Sequence, residues 1–177
     1  MADLALSTLI PLDQIDPGLI EHVLDEAFGP ERHRRTAYAI RNGTNWLPAL
    51  SFAALDADGT LVGTIQAWPV ALTTPEGRAH PLIMVGPVAI LPGRQGQGFG
   101  RALMAAQRQA IGSAAIDPTA PLPQMLIGDE SYYGKFGFVE APLGWQCPGA
   151  WDPARLLVRA SSQALLPQEG MLGPWLG

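Results

Sequence analysis

A glycine-rich segment at residues 95–100 has the composition of an anion-binding loop. Glycines at 96, 98 and 100 leave few side chains between the backbone amides and a ligand. The first amides of a helix lack partners within the helix and lie at the positive end of its dipole. The segment therefore predicts a phosphate site if a helix begins here, and apolar residues do recur at helical spacing from this point: Phe99, Leu103, Ala106, Ala110 and Ala114.

An apolar run from Leu82 to Leu91 precedes the loop, so the order of elements is strand, loop and helix. A P-loop would need Gly-Lys-Ser/Thr, whereas Gly100 is followed by Arg101 and an alanine. The dinucleotide fingerprint needs G-x-G-x-x-G, and the spacing here is G-x-G-x-G. Neither of these phosphate motifs fits, and a tight turn without a ligand is the alternative that the glycines alone leave open.

Two motifs together resemble those of a known superfamily. The segment Gln95–Gly100, preceded by Val88-Ala89-Ile90-Leu91-Pro92, resembles the Q/R-x-x-G-x-G/A acyl-CoA motif of the GNAT-type N-acetyltransferases. Further along, Tyr132-Tyr133-Gly134-Lys135-Phe136-Gly137-Phe138 is similar to their F-Y-x-K-x-G-F signature. The resemblance spans roughly residues 5–140 and is weakest in the N-terminal third.

The resemblance implies a fold of the α/β (α+β) class in a single domain over residues 1–177. We expect a mixed, mostly antiparallel central sheet of about six to seven strands, flanked by helices and splayed between the fourth and fifth strands. In this superfamily the gap between the two splayed strands accepts the pantetheine arm of the cofactor. Pro87 lies at the position where the strands would separate. A plain edge strand is the other explanation for a proline at this position.

The resemblance also implies acetyl-CoA as co-substrate, with no metal. The loop amides would hold the pyrophosphate, and Arg94 or Arg101 would add charge-assisted contacts. Backbone groups of the preceding strand would pair with the pantetheine amides, and one near Ile90 would polarise the thioester carbonyl. The implied cofactor-binding residues are Val88, Ala89, Ile90, Arg94, Gln95, Gly96, Gln97, Gly98, Phe99, Gly100 and Arg101.

Tyr133 matches the tyrosine that hydrogen-bonds the departing sulfur in this superfamily, so the resemblance makes it the catalytic residue. Tyr132 matches a packing position. Without the motif, both Tyr132 and Tyr133 would be interpreted as packing aromatics. Many relatives use a strand glutamate as general base, but the run from His80 to Leu91 contains no carboxylate. The candidates that remain are Asp129, Glu130, His33 and His80, each of which also suits a cap or a surface position.

Turn and capping signals divide the remainder of the chain. Asp16 before Pro17 predicts a helix start, and apolar residues from Ile20 to Phe28 give it one buried face. The other predicted elements are a first strand over 4–10, a second helix over 30–41, strands over 50–55, 61–72 and 125–127, and a short helix at 132–133 capped by Asp129 or Ser131. Residues 141–177 suggest a further strand or hairpin that packs on the core.

The predicted second helix carries a cluster of arginines. They would form either the rim of a pocket for an acidic group or a solvated face, and the solvated face is favoured. The cluster consists of Arg32, Arg34, Arg35 and Arg41.

Composition narrows the classes of partner. A formal net charge of −5 argues against a nucleic-acid-binding surface. No apolar run reaches the length of a membrane span, and the first residues lack the pattern of a signal peptide, so we expect a cytoplasmic protein with no membrane partner. Cys147 is the single cysteine and makes no metal pattern with the three histidines. The tryptophan-containing C-terminal segment is compatible with a homodimer.

Two functions from different classes fit these motifs and this composition. The first is an N-acetyltransferase that moves an acetyl group from acetyl-CoA to an amine of a small molecule or peptide. The second is a non-catalytic acyl-CoA-binding sensor or interaction domain. Tyr133 favours the enzyme, whereas the lack of a carboxylate in the strand leaves the sensor function as an alternative. A doubly wound nucleotide-binding fold is disfavoured by the hairpin-rich first half.

Overall fold

The computed structural model describes residues 8–117 and 121–176. Within them the chain forms two compact units. The first unit comprises residues 8–33, 46–67 and 86–113, and the second comprises 34–45, 68–85, 114–117 and 121–176. The first part of the predicted first strand, residues 4–7, lies outside the described residues.

The described residues form one mixed sheet in the strand order β1-β2-β3-β4-β5-β8-β6, with β9 paired to both β3 and β7. Most of the pairs are antiparallel, whereas β4–β5 and β7–β9 are parallel. The strands are β1 Thr8–Pro11, β2 Phe52–Leu55, β3 Leu61–Thr73, β4 Ala79–Ile90, β5 Gln124–Ile127, β6 Val139–Glu140, β7 Gly144–Gln146, β8 Leu156–Arg159 and β9 Glu169–Pro174. The predicted fold class is confirmed, but the described sheet has nine strands instead of six to seven.

The helices are α1 Pro17–Phe28, α2 Thr36–Ile40, α3 Phe99–Ala114 and α4 Glu130–Tyr133. Helix α1 begins as predicted, since the Gly18 amide donates to Asp16 Oδ1 at 2.7 Å and Pro17 occupies the first helical position. It ends at Gly29, whose φ of 84° only glycine adopts readily. Ile20, Val23 and Leu24 are buried in the core of the first unit with Leu12, Ala53 and Ala89.

The second helix predicted over residues 30–41 is wrong. The chain instead forms a short 3-10 helix, Arg32–Arg34, and then α2, with Arg35 in an extended conformation before it. The side chain of Arg32 is only 3% exposed and donates from Nε to Asp25 Oδ1 at 2.9 Å, with a second ion pair to Glu21. The solvated-face interpretation therefore fails for Arg32, because carboxylates of α1 draw this arginine inward.

The apolar stripe of α3 is buried at its start and exposed at its end. Phe99 and Leu103 are buried, but Ala114 is exposed. The remaining buried positions are Met104, Gln107 and Ile111, which have larger side chains than the alanines of the stripe. Arg101, Arg108 and Gln109 are exposed, as expected for residues off the apolar stripe.

The C-terminal segment contributes to the core of the second unit. Trp145 is buried and donates from Nε1 to the Pro167 carbonyl at 2.8 Å. Strand β8 is buried along its length and pairs with β5 from Gln124–Arg159 to Ile127–Leu156. The tail is thus an integral part of the sheet, in which β9 pairs with β3 from Val70–Pro174 to Thr73–Met171.

Candidate functional site

The glycine-rich loop lies in the first unit, between a 3-10 helix at Pro92–Arg94 and the start of α3 at Phe99. Gly96 and Gly98 have φ values of 75° and 89°, in the left-handed region that other residues adopt at a cost. A Cβ atom added at Gly96 would meet no atom within 4 Å, so the backbone is open on that side. The predicted strand, loop and helix are confirmed, and the loop leads directly into a sixteen-residue helix.

The two arginines implied in cofactor binding differ in their surroundings. Arg101 is exposed on the first turn of α3. Arg94 is partly buried and donates from Nη1 to Asp56 Oδ2 at 2.7 Å and from Nε to Gln97 Oε1 at 3.2 Å. The hydrogen bond from Arg94 is the main reason that the pKa of Asp56 lies below its ordinary value. Sequence reasoning missed Asp56 because it lies 38 positions from Arg94 along the chain.

The strand that leads into the loop has alternating exposure. Ala89 is fully buried in the core of the first unit, whereas Val88 and Ile90 are partly exposed. The peptide bond between Gly86 and Pro87 is cis. The parallel ladder between β4 and β5 consists of the pairs Ile83–Gln124 and Met84–Met125, a short ladder of the kind expected for two strands that diverge.

Tyr133 lies in the second unit at the end of α4. A Cβ atom added at Gly128 would lie 2.4 Å from Cε2 of Tyr133, so the ring occupies space that only glycine leaves free. Edge-on contacts with the Tyr132 ring at 4.8 Å and the Phe138 ring at 6.4 Å hold the phenol on its other sides. Gly137, with a φ of 92°, ends the helical segment. Gly128 is a site residue that the sequence did not single out.

Burial is the main cause that raises the pKa of Tyr133 to about 12. Tyr132 and Asp129 act electrostatically in the same direction, while the positive charge of Arg155 lowers the pKa. The phenol therefore keeps its proton throughout the physiological range. It can donate a hydrogen bond to a developing anion, but full proton transfer to a thiolate near its ordinary pKa of about 8.5 would be uphill.

Asp129 occupies the N-cap position of α4 but makes no side-chain capping bond, so its predicted capping role is wrong. Its Oδ1 atom accepts instead from Arg155 Nε at 3.1 Å. Of the other candidate bases, His33 and Glu130 are exposed and His80 is partly exposed. Exposure alone does not select one of these candidates, and the general base stays unassigned.

Two further findings concern cofactors and membranes. In the described segments, residues 8–117 and 121–176, His, Cys, Asp and Glu side chains form no group of three or more that could hold a metal ion. None of the helices in those segments combines the length and apolar character needed to cross a bilayer.

A family model described as the acetyltransferase (GNAT) domain matches residues 48–140. The match covers more than half of the chain and includes both the glycine-rich loop and Tyr133. The chain therefore belongs to the GNAT acetyltransferase family. No curated protein sequence matches it.

Solved structures of GNAT acetyltransferases share this fold. The GNAT family N-acetyltransferase YhbS from Escherichia coli, in complex with CoA, is 22% identical with a TM-score of 0.70, covering 99% of this chain and 93% of that one. A Brucella melitensis GNAT acetyltransferase in complex with acetyl-CoA is 24% identical with a TM-score of 0.60, covering 96% of each chain. A mutant of the toxin AtaT, bound to the C-terminus of the antitoxin AtaR and acetyl-CoA, is 15% identical with a TM-score of 0.51, covering 88% of this chain and 93% of that one.

Proposed function

We propose that this protein is an N-acetyltransferase that moves an acetyl group from acetyl-CoA to an amine of a small molecule or peptide. The observation that carries the proposal is the loop of the first unit. Its left-handed glycines at 96 and 98 open α3 within the region matched by the family model. Acetyl-CoA in the Brucella melitensis structure and CoA in the Escherichia coli structure support the choice of co-substrate.

The residues of the first unit suit the binding of this co-substrate, which supplies the acetyl thioester. Amides from Gln95 to Gly100 hold the diphosphate at the N-terminus of α3, where the helix dipole favours negative charge. Arg101 adds a cation on the exposed first turn. The backbone of Val88, Ala89 and Ile90 pairs with the pantetheine amides, and an N–H near Ile90 polarises the acetyl carbonyl.

Tyr133 acts on the leaving group. Its phenol is protonated at neutral pH and donates a hydrogen bond to the sulfur as negative charge develops there. The raised pKa makes this a stabilising hydrogen bond without complete proton donation. The amine gives up its proton to a base that remains unassigned, and the thiolate is protonated as it leaves for solvent.

Turnover and binding can be measured separately to test the proposal. Thiol release is followed with acetyl-CoA and a panel of amino acids, polyamines, aminoglycosides and peptide N-termini. We expect turnover with at least one amine and a decrease of about 10²–10⁴-fold in kcat for Tyr133→Phe, with acetyl-CoA affinity unchanged. Tyr132→Phe is the matched control and keeps its activity, because the Tyr132 ring packs edge-on against that of Tyr133 and the proposal gives its hydroxyl no part in the reaction.

The alternative function, a non-catalytic acyl-CoA sensor, makes a different prediction in the same experiment. A sensor binds acetyl-CoA but releases no thiol with any amine, and Tyr133→Phe has no catalytic effect. The proposal is overturned if wild-type protein binds acetyl-CoA and shows no turnover across the panel.

A further inference from the structure

Asp56, in the turn between β2 and β3, uses its two carboxylate oxygens for different contacts. Oδ1 accepts from the amides of Asp58 at 2.9 Å and Thr60 at 3.0 Å, which fixes the carboxylate within its own turn. Oδ2 accepts from Arg94 Nη1 at 2.7 Å, in an ion pair where the Asp56 side chain is 12% exposed. The carboxylate is thus held by local bonds and aimed at a residue far along the chain.

Arg94 connects Asp56 to the glycine-rich loop. Its Nε atom donates to Gln97 Oε1 at 3.2 Å, and its guanidinium lies 5.4 Å from the centre of the Phe99 ring. Gln97 lies between the two left-handed glycines, and Phe99 is the first residue of α3. One guanidinium therefore links the hairpin turn to both the loop and the start of the helix, and the planar, rigid fork of arginine suits this task.

We propose that Asp56 is a positioning residue that orders the glycine-rich loop before acetyl-CoA binds. The Asp56–Arg94 pair holds Gln97 and Phe99 in place, so the loop amides converge on the diphosphate without an ordering cost at the moment of binding. The side chain of Arg94 is 33% exposed. This inference rests on the proposed function, since it assigns a role within the acetyl-CoA site.

The negative charge of Asp56 has an opposing effect on ligand binding. A carboxylate near the loop repels an anionic ligand, so its removal would favour binding on charge alone. Asp56 is already paired with Arg94 at 2.7 Å, so the positive charge of the guanidinium offsets the repulsion that the carboxylate exerts on an anion. Released Arg94 would regain the freedom of a long flexible side chain and would stop holding Gln97. We therefore expect loss of order to outweigh the gain in charge.

Calorimetric titration of the full chain with acetyl-CoA tests the proposal, with Asp56→Asn as the main variant. Asparagine keeps the shape of the side chain and an oxygen for the two turn amides, but loses the ion pair. The expected result is a rise of about tenfold in Kd with unchanged stoichiometry. Asp58→Asn is the matched control, because it removes the same charge from an exposed position in the same turn. We expect its Kd to equal that of the wild type.

A second variant separates positioning from misfolding. Arg94→Lys keeps the positive charge but replaces the fork with a single ammonium, which does not hold Asp56 and Gln97 together. It should raise Kd by a similar factor, and the double variant should show no additional loss because both changes break one linkage. A misfolded fraction would lower the stoichiometry and leave Kd unchanged.

The outcomes separate this inference from the proposed function. If wild-type protein does not bind acetyl-CoA, both fail. If it binds and Asp56→Asn has the wild-type Kd, or the same Kd as a weakened Asp58→Asn, only the positioning role is overturned. Tighter binding by Asp56→Asn that weakens steeply with salt also overturns it, because Asp56 would then act only as a repulsive charge.

Discussion

The ring of Tyr133 lies against the Cα atom of Gly128, where a Cβ atom would come within 2.4 Å of Cε2 and 2.8 Å of Cδ2. Alanine at position 128 must therefore displace the ring or the backbone of β5 and its following turn. Gly128→Ala is expected to cost about 1–3 kcal/mol of unfolding free energy and to lower kcat at least tenfold. Thiol release and urea unfolding measure the two effects.

The control for this change is Gly134→Ala. Gly134 has helical backbone angles, and a Cβ atom there would lie 3.7 Å from Glu130 Cγ, which is ordinary contact. This variant should keep its activity, and its stability should change little. Full activity of Gly128→Ala would show that the position of the Tyr133 ring does not matter to the reaction.

The conformation of the glycine-rich loop depends on Gly96. Its φ of 75° is unfavourable for alanine by about 1–2 kcal/mol, although no atom would clash with the added Cβ. Gly96→Ala should lower stability by that amount and weaken acetyl-CoA binding, because the loop backbone would change its conformation to relieve the strain at this position. Gly93→Ala, equally free of neighbours within 4 Å, is the control. Equal affinities for the two variants would refute this account of the loop.

Gln107 fixes α3 to strand β3 and to the 3-10 helix Pro48–Leu50 that precedes β2. Its Nε2 atom donates to the carbonyls of Leu50 and Gln66, both at 2.9 Å, and the side chain is buried. Gln107→Leu leaves both carbonyls without this donor and should cost about 2–4 kcal/mol of unfolding free energy. Gln109→Leu, on the exposed face of the same helix, should change it by less than about 0.5 kcal/mol. Urea unfolding that gives equal values for both would rule out this role for Gln107.

Stability should fall at alkaline pH through Cys147 and Tyr133. Burial raises the pKa of Cys147 to about 11 and that of Tyr133 to about 12, from ordinary values of 9.0 and 10.0. The unfolded chain loses these protons first, so the stabilisation is complete below about pH 9 and is lost progressively as the pH approaches 11 for Cys147 and 12 for Tyr133.

Urea unfolding between pH 8 and pH 11 measures this loss, with Cys147→Ala as comparison. The variant lacks the thiol and should lose less stability than the wild type between pH 9 and pH 10. Parallel pH profiles for the two proteins would contradict the assignment of this window to Cys147.

Local signals predicted the parts of the site whose conformation is set by neighbouring residues. The glycine loop and the helix at Phe99 followed from backbone requirements within a few positions, and the start of α1 followed from Asp16 and Pro17. Contacts between distant segments were not readable in the same way. Arg32 pairs with carboxylates of α1 near the break before α2, and the Asp56–Arg94 pair joins residues 38 positions apart.

Gly128 was missed for a related reason. A lone glycine after a strand is typical of many turns, and its importance lies in a ring that approaches it from five positions later. The tail gave weak strand signals because β7 and β8 have only three and four residues. Their stability comes from the burial of Trp145 and Leu157 in the core, which a short sequence window does not show.

The central claim is that the loop at residues 95–100 binds the diphosphate of acetyl-CoA. Calorimetric titration with acetyl-CoA and with S-acetylpantetheine, which carries the same thioester but no diphosphate, tests it most directly. We predict that acetyl-CoA binds and that S-acetylpantetheine binds at least about 100-fold more weakly, because it lacks the charged hydrogen-bond acceptors. Equal affinity for the two compounds, or no binding of acetyl-CoA, would contradict the account.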